Sequence, residues 1–247
     1  MVHGAEDRSI AVGRFSTLTP GAMLPGWKPM TFEKIDAHTR YALVGDQGRT
    51  VLQADADASA SGLIKAVTID PRMFPHLTWE WKVGNTLVKG DVTRKTGDDY
   101  AARIYVTFGT DSSRPSFWQR TKAAAIKLLV GELPPSAALA YVWGNQAQVG
   151  SFHPNAYTDR CQMIVVESGP THLNQWRGAQ RNVLLDYRRA FGSDPHLISG
   201  VAVMTDTDNT GSSAIAWYGD IVFRQKPIDA NLKRHHRNPL RPDIGGD

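Results

Sequence analysis

The segment TDTDNTG, at residues 205–211, carries the spacing of oxygen ligands that calcium loops use. An EF-hand needs Asp at loop positions 1 and 3, an oxygen ligand at 5, Gly at 6 and Glu at 12. The first four conditions are met, but position 12 is Trp217 in an apolar run, and this excludes an EF-hand. We therefore predict first a tight turn in which Asp and Asn cap their own backbone, second a looser calcium site formed by Asp206, Asp208 and Asn209, and third a catalytic loop.

A second set of polar side chains follows from strand alternation. In ARIYVTF, at residues 102–108, the apolar side chains share one face, which we assign to the core, while Arg103 and Tyr105 share the other. An arginine in mid-strand indicates a polar sheet face that is shielded from bulk solvent. Asp98 and Asp99 precede this strand, and neighbours in an extended chain point to opposite faces, so we predict that one lies on the polar face while the other caps the turn.

The run WEWKV, at residues 79–83, places Glu80 and Lys82 on the face opposite its tryptophans. A concave sheet face lined by Arg, Glu, Tyr and Trp suits a carbohydrate groove, because aromatic rings stack on the C–H surface of a sugar while charged groups bind its hydroxyls or carboxylates. The alternative is that the tryptophans fill the core. The residues predicted to bind the ligand are Trp81, Lys82, Trp143, Arg181 and Tyr218.

The elements that position these residues are predicted to be short strands. About ten runs with a period of two, separated by turns rich in Gly, Asp and Pro, predict an all-β fold, a two-sheet antiparallel β-sandwich. Apolar residues follow helical spacing near residues 116–130 and 177–191, where we predict two short helical insertions. We predict one domain over residues 10–226 and a basic, flexible C-terminal tail over residues 227–247.

Composition and motifs exclude several classes of function. The net charge of +4 is modest and its excess lies in the C-terminal tail, so we predict no nucleic-acid partner. We also predict a monomer. No apolar run approaches the roughly 18 residues of a membrane helix, and Cys161, the single cysteine, excludes an internal disulfide framework. The sequence also lacks nucleotide-binding glycine loops, the Gly-x-Ser-x-Gly elbow and the His-Glu-x-x-His zinc motif.

Five runs carry a resemblance to a known family: WEWKV, GDDYAARIYVTF, YVWG, RNVLLDYRRAFG and GVAVMTDTDNTGSSAIAWYGDIVF. Over roughly residues 10–223 the chain resembles a bacterial family known as domain of unknown function 3047. The members are typically exported, which implies a periplasmic or extracellular location, and the family transfers no catalytic residue. The run WYGDI, at residues 217–221, is similar to the closing strand of jelly-roll carbohydrate-binding modules, which implies a galactose-binding-like sandwich with a structural calcium.

Two functional hypotheses follow from these observations. The first is an exported protein that holds a polysaccharide or oligosaccharide on its concave sheet face. The alternative is a polysaccharide-degrading enzyme, a glycoside hydrolase or a lyase, that uses the same groove. We favour binding because the sequence contains no acid–base signature. The residues predicted to be catalytic under the alternative are Glu80, Asp99, Arg103, Tyr105 and Asp206.

Overall fold

A computed structural model of the chain describes residues 8–109, 126–128 and 136–228, the middle segment through its backbone alone. Within these residues the strands form one sheet of seven and one of eight. The first sheet contains β1 (Ser9–Gly13), β3 (Arg40–Asp46), β4 (Arg49–Asp57), β6 (His76–Val83), β12 (Arg177–Asn182), β14 (Ser213–Tyr218) and β15 (Ile221–Arg224). The second contains β2 (Trp27–Phe32), β5 (Ala60–Ile69), β7 (Arg103–Phe108), β8 (Ile126–Leu128), β9 (Ala137–Gly144), β10 (Phe152–Asn155), β11 (Thr158–Ser168) and β13 (Ile198–Asp206).

The order of the strands is that of a jelly roll. β4, β14, β6 and β12 lie side by side in the seven-stranded sheet, and β5, β13, β7 and β9 do so in the other. Consecutive strands lie in opposite sheets from β4 to β7 and again from β11 to β14, as the Greek keys of a jelly roll require. The predicted β-sandwich is thus confirmed. Neighbouring strands in the described sheets are antiparallel, except β9 and β11, which run parallel.

Alternate side chains of the two sheets interlock to form the main core. The apolar face of β7 points into it, as the alternation predicted. Trp79 and Trp81 from β6 lie edge to face with 5.3 Å between ring centroids, and Trp143 from β9 approaches Trp81 to 6.0 Å. Burying an indole stabilises a fold by about 5 kcal/mol. Trp81 and Trp143 are 0% exposed, so the prediction that they bind a ligand is wrong, and the alternative that they fill the core is correct.

The eight-stranded sheet is also buried on its outer face. Arg103 and Tyr105, which lie on this face of β7, are 2% and 7% exposed. A second apolar layer surrounds them, and Val92 and Tyr100 from the loop before β7 belong to it. Small outward side chains on the adjacent strands leave room for this layer: Ala138, Ala140 and Ala202. The face that was predicted to form the concave groove is therefore filled by side chains.

The one α-helix among the described residues, α1 (Val183–Phe191), begins and ends with clear capping residues. Asn182 accepts a hydrogen bond from the backbone N–H of Leu185 at 3.0 Å, and Gly192 adopts a φ of 69°, which favours glycine. The helix predicted near residues 177–191 is therefore half correct, because its first six residues form β12 and are hydrogen-bonded to β6.

The other predicted helix, near residues 116–130, lies mostly outside the described residues. Within it, residues 126–128 form the strand β8 beside β2, so the helical prediction is wrong there. The predicted basic tail lies outside the described residues from residue 229 onward. Among the residues that the structure describes, no helix is long and apolar enough to cross a membrane.

Candidate functional site

Three loops meet at one end of the sandwich, which we call the loop end: residues 84–102, 145–151 and 207–212. Asn145 joins the first two, because its Oδ1 accepts from the Leu87 N–H at 2.8 Å and its Nδ2 donates to the Asp99 carbonyl at 3.0 Å. A side chain at Gly90 would overlap the Asn145 amide, so this position requires glycine. The hydrogen bonds and the close approach together hold the long loop before β7 in place.

An ion-paired cluster lies at the loop end, buried beneath these loops. The Arg103 guanidinium forms a salt bridge with the Asp206 carboxylate, and its Nη1 lies 3.7 Å from Oδ1 of Asp98. It also stacks on two rings, 4.6 Å from the centroid of Tyr100 and 5.4 Å from that of Tyr105. The structure thus places Arg103, Tyr105 and Asp206, which were predicted to be catalytic, in one cluster but encloses them away from solvent.

Asp99 joins this cluster and holds the 205–211 segment. Its carboxylate accepts from the Thr210 N–H at 2.7 Å and from the Asn209 N–H and Nδ2 at 3.3 and 3.1 Å. The predicted turn is present at residues 208–211. The carboxylate that caps it comes from another loop rather than from the turn itself, and Asn209 Oδ1 accepts from the Tyr157 hydroxyl at 3.1 Å. Both ends of the Asn209 side-chain amide are therefore hydrogen-bonded to residues outside the turn, Asp99 and Tyr157.

Burial and charge raise the pKa of Asp98 and of Asp208 at the loop end. Desolvation raises the pKa of the Asp98 carboxyl to about 6, although the nearby Arg103 guanidinium acts in the opposite direction. Desolvation also raises the pKa of the half-buried Asp208, and the negative charge of Asp99 adds to the effect. Both pKa values are raised for the same physical reason, because several carboxylates share a poorly solvated volume with a single guanidinium.

The outer face of the seven-stranded sheet carries a different set, which we call the tryptophan row: Gln53, Trp217, Lys82 and Trp176. Trp217 on β14 lies opposite Gln53 on one side and Lys82 on the other. Trp176 continues the row, since the next residue, Arg177, lies opposite Trp81 of β6. The Lys82 ammonium lies 4.3 Å from the Trp217 ring centroid and 5.4 Å from that of Trp176. Both indoles are partly exposed.

Polar contacts fix both indoles of the tryptophan row. The Trp176 Nε1–H donates to Oδ2 of Asp46 at 2.6 Å, and Oδ1 of Asp46 accepts from Lys82 at 2.6 Å. Burial alone would raise the pKa of Asp46, but these two hydrogen bonds together lower it. The Trp217 Nε1–H donates to Gln53 at 3.0 Å. The two rings are therefore held at fixed positions on the sheet.

A second ion pair borders the row. Arg49 stacks 4.3 Å above the Trp176 ring centroid and forms a salt bridge with Glu80. The predicted placement of Glu80 and Lys82 on one face, opposite the tryptophans of β6, is confirmed. Glu80 lies on the outer face of the other sheet from Asp206, so the predicted catalytic carboxylates do not all converge.

Two further residues predicted to bind ligand have structural partners. Arg181 donates two hydrogen bonds to the Asp186 carboxylate, at 2.9 and 2.5 Å, and the Tyr141 hydroxyl donates a third at 2.9 Å. These three hydrogen bonds link α1 to β12 and β9. Tyr218 is 0% exposed and its hydroxyl donates to the Met204 carbonyl at 2.8 Å, so the prediction that Tyr218 contacts a ligand is wrong.

A cleft of about 500 Å³ opens at the loop end between residues 88–93 and 145–153, and His153 and Ser151 line it. The Ser151 hydroxyl donates to the Gln148 carbonyl at 2.5 Å, so His153 Nε2, 2.9 Å from the same oxygen, acts as a donor to it. A general base would accept the serine proton instead. The arrangement is therefore a structural hydrogen-bond chain rather than a nucleophile with its base.

The sequence patterns did not identify Trp176 and Trp217 as surface residues. The signal for Trp217 was present, because Ala214, Ala216 and Tyr218 alternate with it and fill the inner face of β14. Trp176 directly precedes the helix predicted near residues 177–191, and no local pattern indicates that it lies beside β6.

A family model described as protein of unknown function (DUF3047) matches residues 25–222. No curated protein matches the sequence. The family 11 carbohydrate-binding module of the cellulosomal cellulase Lic26A-Cel5E of Clostridium thermocellum aligns with 8% identity and a TM-score of 0.43, over 89% of this chain and 95% of that one.

Two other solved structures align at a similar level. The family 30 carbohydrate-binding module of the cellulosomal cellulase Cel9D-Cel44B of the same organism has 9% identity and a TM-score of 0.42, over 87% and 96% of the two chains. The K3 cleaved adhesin domain of Lys-gingipain from Porphyromonas gingivalis has 11% identity and a TM-score of 0.34, over 87% and 98%. Similarity at this level assigns no ligand. The match to the family model covers most of the chain, and the protein is therefore a member of the DUF3047 family.

Proposed function

We propose that the protein binds carbohydrate, as a polysaccharide or oligosaccharide, at the tryptophan row on the outer face of the seven-stranded sheet. The observation that carries this proposal is the placement of two partly exposed indoles, Trp176 and Trp217, in one row across the strands. Aromatic rings at fixed positions bind the C–H faces of sugars, and rings that are already immobilised lose little side-chain entropy on binding.

The charges around the row favour a neutral glycan. Lys82 is paired with Asp46, and Arg49 is paired with Glu80, so neither cation is left to balance a uronate carboxylate. The side chains of Arg49 and Glu80 remain about a third or more exposed, at 34% and 43%, and can form hydrogen bonds with sugar hydroxyls. We therefore expect neutral polymers to bind more tightly than uronate polymers.

Binding is favoured over hydrolysis by the positions of the acidic residues. A glycoside hydrolase places two carboxyl groups about 5 to 10 Å apart on either side of the scissile bond. At the tryptophan row, Glu80 is paired with Arg49 and Asp46 is bonded to Lys82 and Trp176. Asp99 and Asp206 are buried at the loop end. The export of the protein to the periplasm or the cell exterior is part of the proposal and follows from the family resemblance.

The test is binding to a panel of neutral and uronate polysaccharides, with retained protein and released reducing ends measured in the same tubes. Trp217→Ala and Trp176→Ala should each weaken binding by about tenfold or more, which corresponds to roughly 1.4 kcal/mol. Trp27→Ala is the matched control, because Trp27 is a partly exposed tryptophan on the other sheet, and it should bind as the wild type does.

Each remaining outcome would overturn a stated part of the proposal. Wild-type affinity in both row variants would place the ligand elsewhere on the molecule. Release of reducing ends would make the protein an enzyme. If the wild-type protein binds none of the polymers, the carbohydrate proposal is wrong.

A further inference from the structure

The buried cluster at the loop end contains more carboxylates than cations. Asp98 and Asp206 pair with the Arg103 guanidinium, and Asp99 and Asp208 lie close to Asp206. Asp98, Asp99 and Asp206 are 6%, 0% and 2% exposed. Burying an uncompensated carboxylate is costly, so such a cluster needs protons or a further cation to be stable.

Hydrogen bonding leaves part of this cluster without partners. Asp99 is held by three N–H groups, and Asp206 is held by Arg103 and by the Tyr100 N–H. In contrast, the Thr210 hydroxyl oxygen has no hydrogen-bond partner among the described residues and is buried. The backbone N–H of Thr210 donates to Asp99, so this residue lies beside the cluster. Oδ1 of Asp98 is also buried without a hydrogen bond among the described residues, and its ion pair with Nη1 of Arg103 is long, at 3.7 Å.

The spacing of the carboxylate oxygens suits a metal ion. One oxygen from each of Asp99, Asp206 and Asp208 lies within 4.8 Å of the others. Two oxygens bound to the same Ca²⁺ ion, each at about 2.4 Å, are at most about 4.8 Å apart. The cluster offers only oxygen ligands, which Ca²⁺, Mg²⁺ and Mn²⁺ prefer, whereas zinc sites draw on His and Cys.

We propose that Asp99, Asp206 and Asp208 bind a divalent cation of this oxygen-preferring class, with Ca²⁺ preferred over Mg²⁺. Ca²⁺ tolerates the irregular geometry of ligands from separate loops, whereas Mg²⁺ demands a near-ideal octahedron. The proposed ligands differ from those expected from the sequence. The side-chain amide of Asn209 donates a hydrogen bond to Asp99, and Asp99 replaces Asn209 as the third ligand. The ion joins the loop before β7 to the turn after β13, and this role is independent of glycan binding.

The test is thermal melting of the full chain after chelator treatment, without metal and with CaCl₂ or MgCl₂, together with Ca²⁺ titration calorimetry. At a hundredfold excess of Ca²⁺ over Kd, the melting temperature should rise by about 5 to 10 °C, and by less with Mg²⁺. Asp208→Asn should remove most of the shift, and because Asp208 is partly exposed this variant should still fold. Asp159→Asn removes the same charge from an exposed position of β11 and should keep the full shift.

The proposal is overturned if calorimetry detects no Ca²⁺ binding and neither metal changes the melting temperature, since protons would then balance the cluster. An equal calcium shift in Asp208→Asn and Asp159→Asn would also overturn it, because the ion would then bind outside the cluster. A shift with Mg²⁺ that equals or exceeds the one with Ca²⁺ would refute the stated preference for Ca²⁺.

Discussion

Replacing Arg103 with methionine tests the buried ion pair directly. Methionine keeps most of the length of the side chain and can still pack against the Tyr100 and Tyr105 rings, but it removes the positive charge. Asp206 then loses its salt bridge and Asp98 loses its nearest cation. Breaking a buried ion pair by removing one partner costs about 3 to 5 kcal/mol, because the remaining charge is left uncompensated.

The expected loss is large enough to measure by melting. In a domain of this size each kcal/mol shifts the melting temperature by about 2 to 4 °C, so Arg103→Met should melt about 6 to 20 °C below the wild type. Tryptophan fluorescence follows the transition well, because Trp79, Trp81 and Trp143 lie in the core. The samples contain chelator, so that metal binding does not contribute.

Two further variants decide whether charge is the cause. The double variant Arg103→Met/Asp206→Asn should melt above Arg103→Met, since the uncompensated carboxylate is gone. Arg72→Met removes an arginine from an exposed ion pair with Asp70 and should melt as the wild type does. A melting temperature of Arg103→Met within about 2 °C of the wild type would refute the reasoning that the pair is buried and structural.

Three other changes test the loops, the helix and the tryptophan row by thermal or urea unfolding. Gly90→Ala should destabilise the fold by about 1 to 3 kcal/mol, because the new methyl group meets the amide of Asn145, and a neutral result would show that the loop can yield. Asn182→Ala should cost about 1 kcal/mol through loss of the α1 cap, with Asn182→Ser largely restoring it. The pKa of Asp46 is lowered in the folded state, so its stabilising effect is present above the unfolded value near 4 and is lost as pH falls through the folded pKa. Asp46→Asn should therefore lose less stability than the wild type on acidification, and parallel pH curves would contradict this.

Local periodicity was sufficient for part of the site. The alternation in residues 102–108 correctly separated the core face of β7 from the face of Arg103 and Tyr105. It could not show which residues cover that second face, because alternation within a strand says nothing about the loops that pack onto it. Val92 and Tyr100 pack onto it from the preceding loop.

Helical spacing was misleading at residues 177–182 for a similar reason. The intrinsic helix or strand preference of these residues is too weak to outweigh strand pairing. They form β12 because an edge of β6, about a hundred residues away in the chain, is available for backbone hydrogen bonds. The turn at residues 205–211 was expected to cap itself, but the cap is Asp99, which lies 110 residues from Asn209 in the chain.

The sequence by itself determined the β-sandwich, the inward face of its strands and the family to which the chain belongs, since the period of a strand and the residue types of turns are local properties. Only the tertiary structure decided which tryptophans fill the core and which lie on the surface, and that four aspartates meet at the loop end, two of them paired with Arg103. Strand pairing and loop contacts bring together residues that no local pattern relates. The two proposed sites both depend on such contacts, one across three neighbouring strands and one between loops from different parts of the chain.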